Sequence, residues 1–101
     1  MPAAATKGSE VITGHGCTAT TTILDGDESV QIGGKDAAVQ GSNLTTHTVP
    51  SGTNCVPHST KVTEGSSSVE VNGKALARVG DGIGCSPGGK INSGDTSVIA
   101  G

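Results

Sequence analysis

The feature that most constrains the fold is an internal repeat. The stretch GDESVQIGGKDAAVQGS at residues 26–42 aligns without a gap with GSSSVEVNGKALARVGD at residues 65–81. The first half of a third copy is SGDTSVIAG at residues 93–101, and its second half is AAATKGS at residues 3–9. Because internal repetition fixes the architecture, we expect three equivalent units, the third assembled from the two ends of the chain.

Each unit has the pattern of a β-hairpin. In SVEV the residues alternate, which predicts that Val69 and Val71 share one face of a strand. The dipeptide Asn72-Gly73 favours a type I′ turn, and Gly-Gly stands at the same place in the earlier copy. Pairing of the two chain ends would complete a third hairpin and remove a free sheet edge. We therefore predict an all-β, pseudo-three-fold fold of three hairpins with little or no helix, apart from one possible short turn in residues 82–92.

The composition indicates one small domain, spanning residues 1–101, with a thin core. The chain has no Phe, Tyr or Trp, and hydrophobic residues make up 32% of it. We expect the equivalent residues Val30, Val69 and Val98 to build the body. A core this small usually needs a staple, which can be a disulfide, a metal or a partner.

Charge and hydropathy exclude several classes of function. The formal net charge is −3, and no Lys/Arg cluster is present to bind a phosphate backbone. No apolar run is long enough to span a membrane. The N-terminus lacks the charged and hydrophobic regions of a secretory signal. We expect synthesis in the cytoplasm and export, if it occurs, by a route that needs no cleavable signal.

Every histidine and cysteine lies between the hairpin units, in three intervals that we expect to be loops: residues 10–24, 43–64 and 82–92. These residues are His15 and Cys17 in the first interval, His47, Cys55 and His58 in the second, and Cys85 in the third.

Three of these residues follow the repeats at nearly equal distances. They are His15, His47 and Cys85, so we expect them to converge near the pseudo-three-fold axis, with His58 as a fourth ligand. Three imidazoles and one thiolate suit tetrahedral Zn²⁺, one per chain. Iron remains an alternative, because the same ligand types also bind it.

The two other cysteines have no repeat-equivalent positions. Cys17 and Cys55 are spare thiols, or a disulfide formed after export, or Cys55 replaces one of the histidine ligands. A fold stapled by disulfides alone would leave one of the three cysteines unpaired, and the cytosol disfavours disulfides. A Cys-His-Asp nucleophile site is the catalytic alternative, but no sequence pattern favours it. We expect no enzyme activity, since four protein ligands leave zinc no open position for a water.

The same residues carry a resemblance to a known family. GSSSVEVNGKALARVGD, followed by a cysteine, resembles the signature of PAAR-repeat proteins, named for a Pro-Ala-Ala-Arg motif. GHGC at residues 14–17 resembles the first-loop histidine of that family, and SGDTSVIAG resembles its closing strand. The motif itself is changed here to ALAR at residues 75–78 and DAAV at residues 36–39, and Cys17 stands where the family usually has glycine.

The resemblance implies a function. PAAR proteins are small cones that cap the spike of bacterial type VI secretion systems, with the base on a trimeric valine-glycine repeat protein (VgrG). Their tip is organised by zinc held by three histidines and one cysteine, which correspond by position to His15, His47, His58 and Cys85. Sheath contraction drives such a spike through a target cell envelope.

The repeats occupy residues 3–101, so we expect a bare tip without an effector extension, any effector being a separate chain carried by the spike. Three alternatives remain. The chain could be the tip of a phage or prophage contractile tail, a small soluble zinc or thiol protein, or a small hydrolase with an exchangeable metal-bound water.

Overall fold

A computed structural model describes residues 2–84 and 89–101, which form an elongated body of 41 × 22 × 22 Å. The described residues contain no helix, and none is therefore long and apolar enough to cross a membrane. The all-β prediction is confirmed. The strands are β1 (Ala3–Ala4), β2 (Glu10–Ile12), β3 (Thr20–Thr22), β4 (Asp27–Ile32), β5 (Lys35–Ala37), β6 (His47–Ser51), β7 (Asn54–His58), β8 (Glu70–Val71), β9 (Lys74–Ala75), β10 (Lys90–Ile91) and β11 (Asp95–Ile99).

The three predicted hairpins are present. They are the antiparallel pairs β4–β5, β8–β9 and β1–β11. At the turn between β8 and β9, Asn72 has φ 50° and Gly73 has φ 81°, and the turn between β4 and β5 has a similar pair of positive angles. Positive φ at both central positions is what a type I′ turn requires. In the third hairpin Ala3 pairs with Ile99, so the two ends of the chain complete the repeat as predicted.

The three units meet in a closed circle of backbone hydrogen bonds between equivalent alanines. The amide of Ala5 donates to the carbonyl of Ala77 (2.9 Å), that of Ala77 to Ala38 (2.9 Å), and that of Ala38 back to Ala5 (3.0 Å). All three alanines are completely buried. Because a methyl group is small, the three backbones approach closely enough to form these hydrogen bonds. We call the three residues the alanine ring, and the pseudo-three-fold axis passes through its centre.

The core consists of further triplets of equivalent buried residues on either side of the alanine ring. Two triplets lie toward the hairpins: Ile32, Val71 and Ala100, and Ala4, Ala37 and Leu76. Two lie where the chain leaves the hairpins for the histidines: Val11, Leu44 and Ile83, and Ile23, Val62 and Ile91. Because each triplet closes around one axis, small aliphatic side chains fill the interior without aromatic residues.

The hairpins also contact one another head to tail. The three contacts pair Asn72 with Asp27, Gly33 with Asp95, and Gly101 with Ser66. In the first, Asn72 Nδ2 donates to Asp27 Oδ2 at 2.7 Å. In the second, a Cβ at Gly33 would collide with the Asp95 carboxylate. Each turn thus touches the first residues of another repeat, and the three contacts close a ring at the hairpin end of the body.

The prediction that Val30, Val69 and Val98 build the body is wrong. Their side chains are 37%, 38% and 37% exposed. The strand pairing slips between Asp27 and Gln31 in one hairpin and at β1 in another, which interrupts the two-residue alternation. In the remaining hairpin the amide of Val69 donates to the Ser66 hydroxyl instead of joining β8, so Val69 does not share the buried face of the strand.

The prediction that the three intervals are loops is also wrong. Residues 10–24 contain β2 and β3, which form a three-stranded sheet with β10 from the third interval. Residues 43–64 contain the β6–β7 hairpin. The possible short turn in residues 82–92 is not found in residues 82–84 or 89–92, and residues 85–88 lie outside the described part of the chain.

Enlarging one member of the alanine ring should weaken the whole fold. Ala38→Leu places extra methylene groups where three backbones meet, so we expect a loss of about 1–3 kcal/mol in the free energy of unfolding or more. Urea denaturation measures this loss. Ala19→Leu, at an exposed position, is the matched control and should change stability by less than about 0.5 kcal/mol. Equal stability of the two variants would contradict the assigned role of the ring.

Candidate metal centre

The β6–β7 hairpin brings two histidines together. His47 and His58 are directly opposite each other in the antiparallel register, at the end of the hairpin farthest from its turn. Opposite residues of an antiparallel pair project from the same face. The two rings accordingly lie 5.0 Å apart, nearly perpendicular to each other. The His47 residue is buried, with 5% of its surface exposed.

The third histidine comes from the connection between β2 and β3. Thr13 is completely buried and holds this connection in shape: its hydroxyl oxygen lies 2.6 Å from the carbonyl oxygen of Thr18 and accepts the amide of His15 at 3.4 Å. The His15 ring stacks on that of His47, with centroids 5.3 Å apart, and its centroid is 5.8 Å from that of His58. Two separate segments therefore deliver three imidazoles to one point.

Backbone carbonyls determine which ring nitrogens carry protons. Nδ1 of His15 lies 2.9 Å from the carbonyl of Gly16, and Nδ1 of His47 lies 2.9 Å from the carbonyl of Thr45. Since a carbonyl only accepts, each Nδ1 is the donor, and in the neutral ring Nε2 keeps its lone pair. This arrangement is typical of histidines that bind metals through Nε2. Consistent with it, Nε2 of His15 is buried and has no hydrogen-bond partner among the described residues.

The geometry and protonation of the cluster fit a metal ion. One ligand atom from each histidine can be chosen so that all three lie within 4.8 Å of one another. Small ring rotations would reduce this to the roughly 3.4 Å that Zn–N bonds of about 2.05 Å require in a tetrahedral site. Burial lowers the pKa of His58 below 6.5, and positive charge on His47 and His15 lowers this pKa further. This shift favours the neutral ring, which is the form that coordinates metal.

The cysteines divide into two groups. Cys17 and Cys55 form a disulfide, with their Cα atoms 5.8 Å apart. From the sequence, these residues could be a disulfide or spare thiols, or Cys55 could be a metal ligand. In the structure both sulfur atoms are in the disulfide. Cys85, the predicted fourth ligand, lies outside the described residues and remains a prediction.

Sequence reasoning missed the threonines that support the cluster. Thr13 shapes the His15 turn, and the Thr18 hydroxyl lies 2.6 Å from that of Thr48, which joins this turn to β6. Threonine is abundant throughout residues 10–63. Nothing in the spacing marks these three, so only their burial and partners in the structure identify them.

Comparison with known proteins places this geometry in a family. No curated protein gives a significant match to the chain. The family model described as the PAAR motif matches twice, over residues 12–86 and residues 52–101. Together the two matches include all three histidines, both disulfide cysteines and two of the three repeats. The chain therefore belongs to the PAAR-motif family.

Proposed function

We propose that this protein is the metal-organised tip of a contractile injection spike, bound to the end of the trimeric VgrG-type β-helical protein of a type VI secretion system. The observation that carries the proposal is the change of symmetry along the body. One end is a closed ring of three equivalent hairpins, and the chain beyond the core triplets supplies a single cluster of three histidines. Such a body can join a three-fold partner to a single point.

The hairpin end supplies a surface that suits a three-fold partner. We call Val30, Val69 and Val98 the valine ring; their exposed fractions differ by no more than one percentage point. Equivalent residues with equal exposure around a pseudo-three-fold axis offer the same contact three times. Exposed apolar groups of this kind favour burial against a protein partner. The valine ring is therefore our proposed contact with the spike.

The histidine end offers a site for a metal. We propose one Zn²⁺ per chain, bound by His15, His47, His58 and Cys85, which would complete a closed structural site. The chain's own residues orient the imidazoles, through Thr13 and the carbonyls of residues 16 and 45. Zinc binding would contribute folding free energy at the end that lacks an apolar core.

The proposed role is structural rather than enzymatic. In this proposal residues 1–101 act as a single tip domain that assembles on the secretion apparatus and is exported with it. The tip then pierces the target cell envelope, and the spike carries effectors with it. The same two ends would fit the spike of a phage or prophage contractile tail, and the genes adjacent to the coding sequence distinguish these two settings.

Metal analysis tests the site. Protein purified without added metal should contain one zinc per chain by mass spectrometry. His58→Ala removes one ligand, so the variant should lose most of its zinc and unfold at a lower temperature. Val56→Ala, on the same strand but exposed, is the control and should keep its zinc. A metal-free wild-type protein that remains folded would refute the zinc site.

Substitution in the valine ring tests the docking surface. Val69→Asp puts a charge into the proposed contact, so binding to the purified trimeric spike protein should weaken at least tenfold, about 1.4 kcal/mol. Val56→Asp is the matched control, because Val56 is also 37% exposed but belongs to the β6–β7 hairpin. Size-exclusion chromatography and interferometry measure both complexes. If the two variants bind equally well, the valine ring is not the contact.

A further inference from the structure

We propose that Cys17 and Cys55 are a redox-controlled latch on the metal centre, closed by oxidation so that the bound metal is released more slowly. The inference rests on the metal site of the proposed function. It concerns a separate property, namely how firmly the segment that carries His15 is held against the β6–β7 hairpin. We call residues 15–18 the clasp segment.

The two faces of the β6–β7 hairpin carry different groups. His47 and His58 form one opposite pair of the register, and Pro50 and Cys55 form another pair three positions along. Side chains alternate between faces along a strand. Residues three positions apart therefore project from opposite faces, so Cys55 lies on the face away from the histidines.

The clasp segment runs along the edge of β6 and reaches both faces. The amide of Thr18 donates to the carbonyl of Thr48 at 3.3 Å, and the amide of Thr48 donates back to the Thr18 hydroxyl at 3.0 Å. A Cβ at Gly16 would lie 3.5 Å from Cγ of Pro50, so the segment packs closely on that strand. Only one residue, Gly16, separates its histidine from its cysteine. It therefore wraps around the edge of β6, with His15 on the face that carries the histidines and Cys17 bonded to Cys55 on the opposite face.

The backbone at Cys17 shows what the bond restrains. Its φ is 68°, in the left-handed region that residues with a Cβ adopt at a cost. In the oxidised protein the bond to Cys55 fixes the end of the segment on β7. Once the bond is reduced, residue 17 is free to return to negative φ, and the backbone that positions His15 two residues earlier moves with it. The metal then has one less firmly positioned ligand.

The latch is accessible to the chemistry that would operate it. Cys17 and Cys55 are both exposed. Closing occurs by thiol–disulfide exchange with a disulfide reagent: the two thiols give up two electrons and two protons, one bond forms between their sulfurs, and the reagent is reduced to two thiols. Because the cytosol keeps thiols reduced and extracellular compartments do not, the latch would be open during assembly and closed after export.

Metal release from the full chain tests the latch without any mutation. Zinc-loaded protein is prepared with oxidised glutathione or with a phosphine reductant, and peptide mapping verifies the Cys17–Cys55 bond. Transfer of zinc to a colorimetric chelator should be at least tenfold slower from the oxidised protein. The double variant Cys17→Ser with Cys55→Ser is the control: it should release zinc at the rate of reduced wild type under both conditions.

The outcomes separate the latch from the metal site. Equal release rates from oxidised and reduced wild type, with zinc bound in both, overturn the latch and leave the metal site intact. Failure to bind zinc in either state overturns the metal site and the latch with it. Hydrogen exchange on wild-type protein distinguishes the latch from a crosslink that only stabilises the whole fold. If the latch exists, oxidation should slow exchange most at residues 15–18. Uniform slowing over the whole chain, or pairing of either cysteine with Cys85, would also contradict the latch.

Discussion

The structure depends on the circle of hydrogen bonds between Ala5, Ala38 and Ala77. A circle of this kind satisfies three buried amides and three buried carbonyls at once, without a sheet and without water. It also requires three backbones to approach one axis closely, which only small side chains allow. The buried triplets on either side repeat the arrangement that the alanines impose. The sequence repeat therefore has a structural reason: the three segments must be equivalent to one another where they meet at the axis.

The three-fold arrangement of buried residues does not extend to the histidines, and other interactions hold the chain there. Beyond the triplet of Ile23, Val62 and Ile91, the three units differ in length and sequence, and the residues that the structure describes form no further apolar triplet there. Three imidazoles and a disulfide occupy this region instead. The disulfide joins cysteines 38 positions apart, and closing a loop of that size restricts the unfolded chain by roughly 4 kcal/mol in the entropic account. Crosslinks thus replace packing where packing is not available.

The sequence predicted the hairpins because their signals are local. The Asn72-Gly73 turn and the alternating residues before it require no knowledge of distant parts of the chain, and the matching ends revealed the third hairpin. The exposed valine ring was not predictable in this way. The exposure of Val30 accompanies a slip in strand pairing between Asp27 and Gln31. That of Val69 accompanies the bond from its amide to the Ser66 hydroxyl. A two-residue alternation assumes regular pairing and therefore fails wherever a bulge occurs.

At the candidate metal centre, the residue types allowed the ligands to be predicted from the sequence. The hairpin and the disulfide around them could not be predicted in this way. His15 and His47 could be grouped from their positions after the repeats, whereas His58 was added as a further ligand from the longest interval. The β6–β7 hairpin was missed because Pro50 and Pro57 argue against a strand; a two-stranded sheet tolerates them, since each of its strands has an open edge. The disulfide could not be assigned either, because its two cysteines are brought together by the clasp segment lying along β6. Such proximity is a tertiary property and leaves no spacing signal in the chain.

The pairing of β1 with β11 has a consequence for how the protein is made. During synthesis, residues 3–4 leave the ribosome early but can pair with residues 95–99 only after more than 90 further residues have been made. Until then Ala5 has been made but the third hairpin beside it is incomplete. The edge of β1 can meanwhile pair with other chains. Contacts between segments so far apart also form slowly. The third repeat, and with it the closed body, is therefore complete only after β11 has been synthesised.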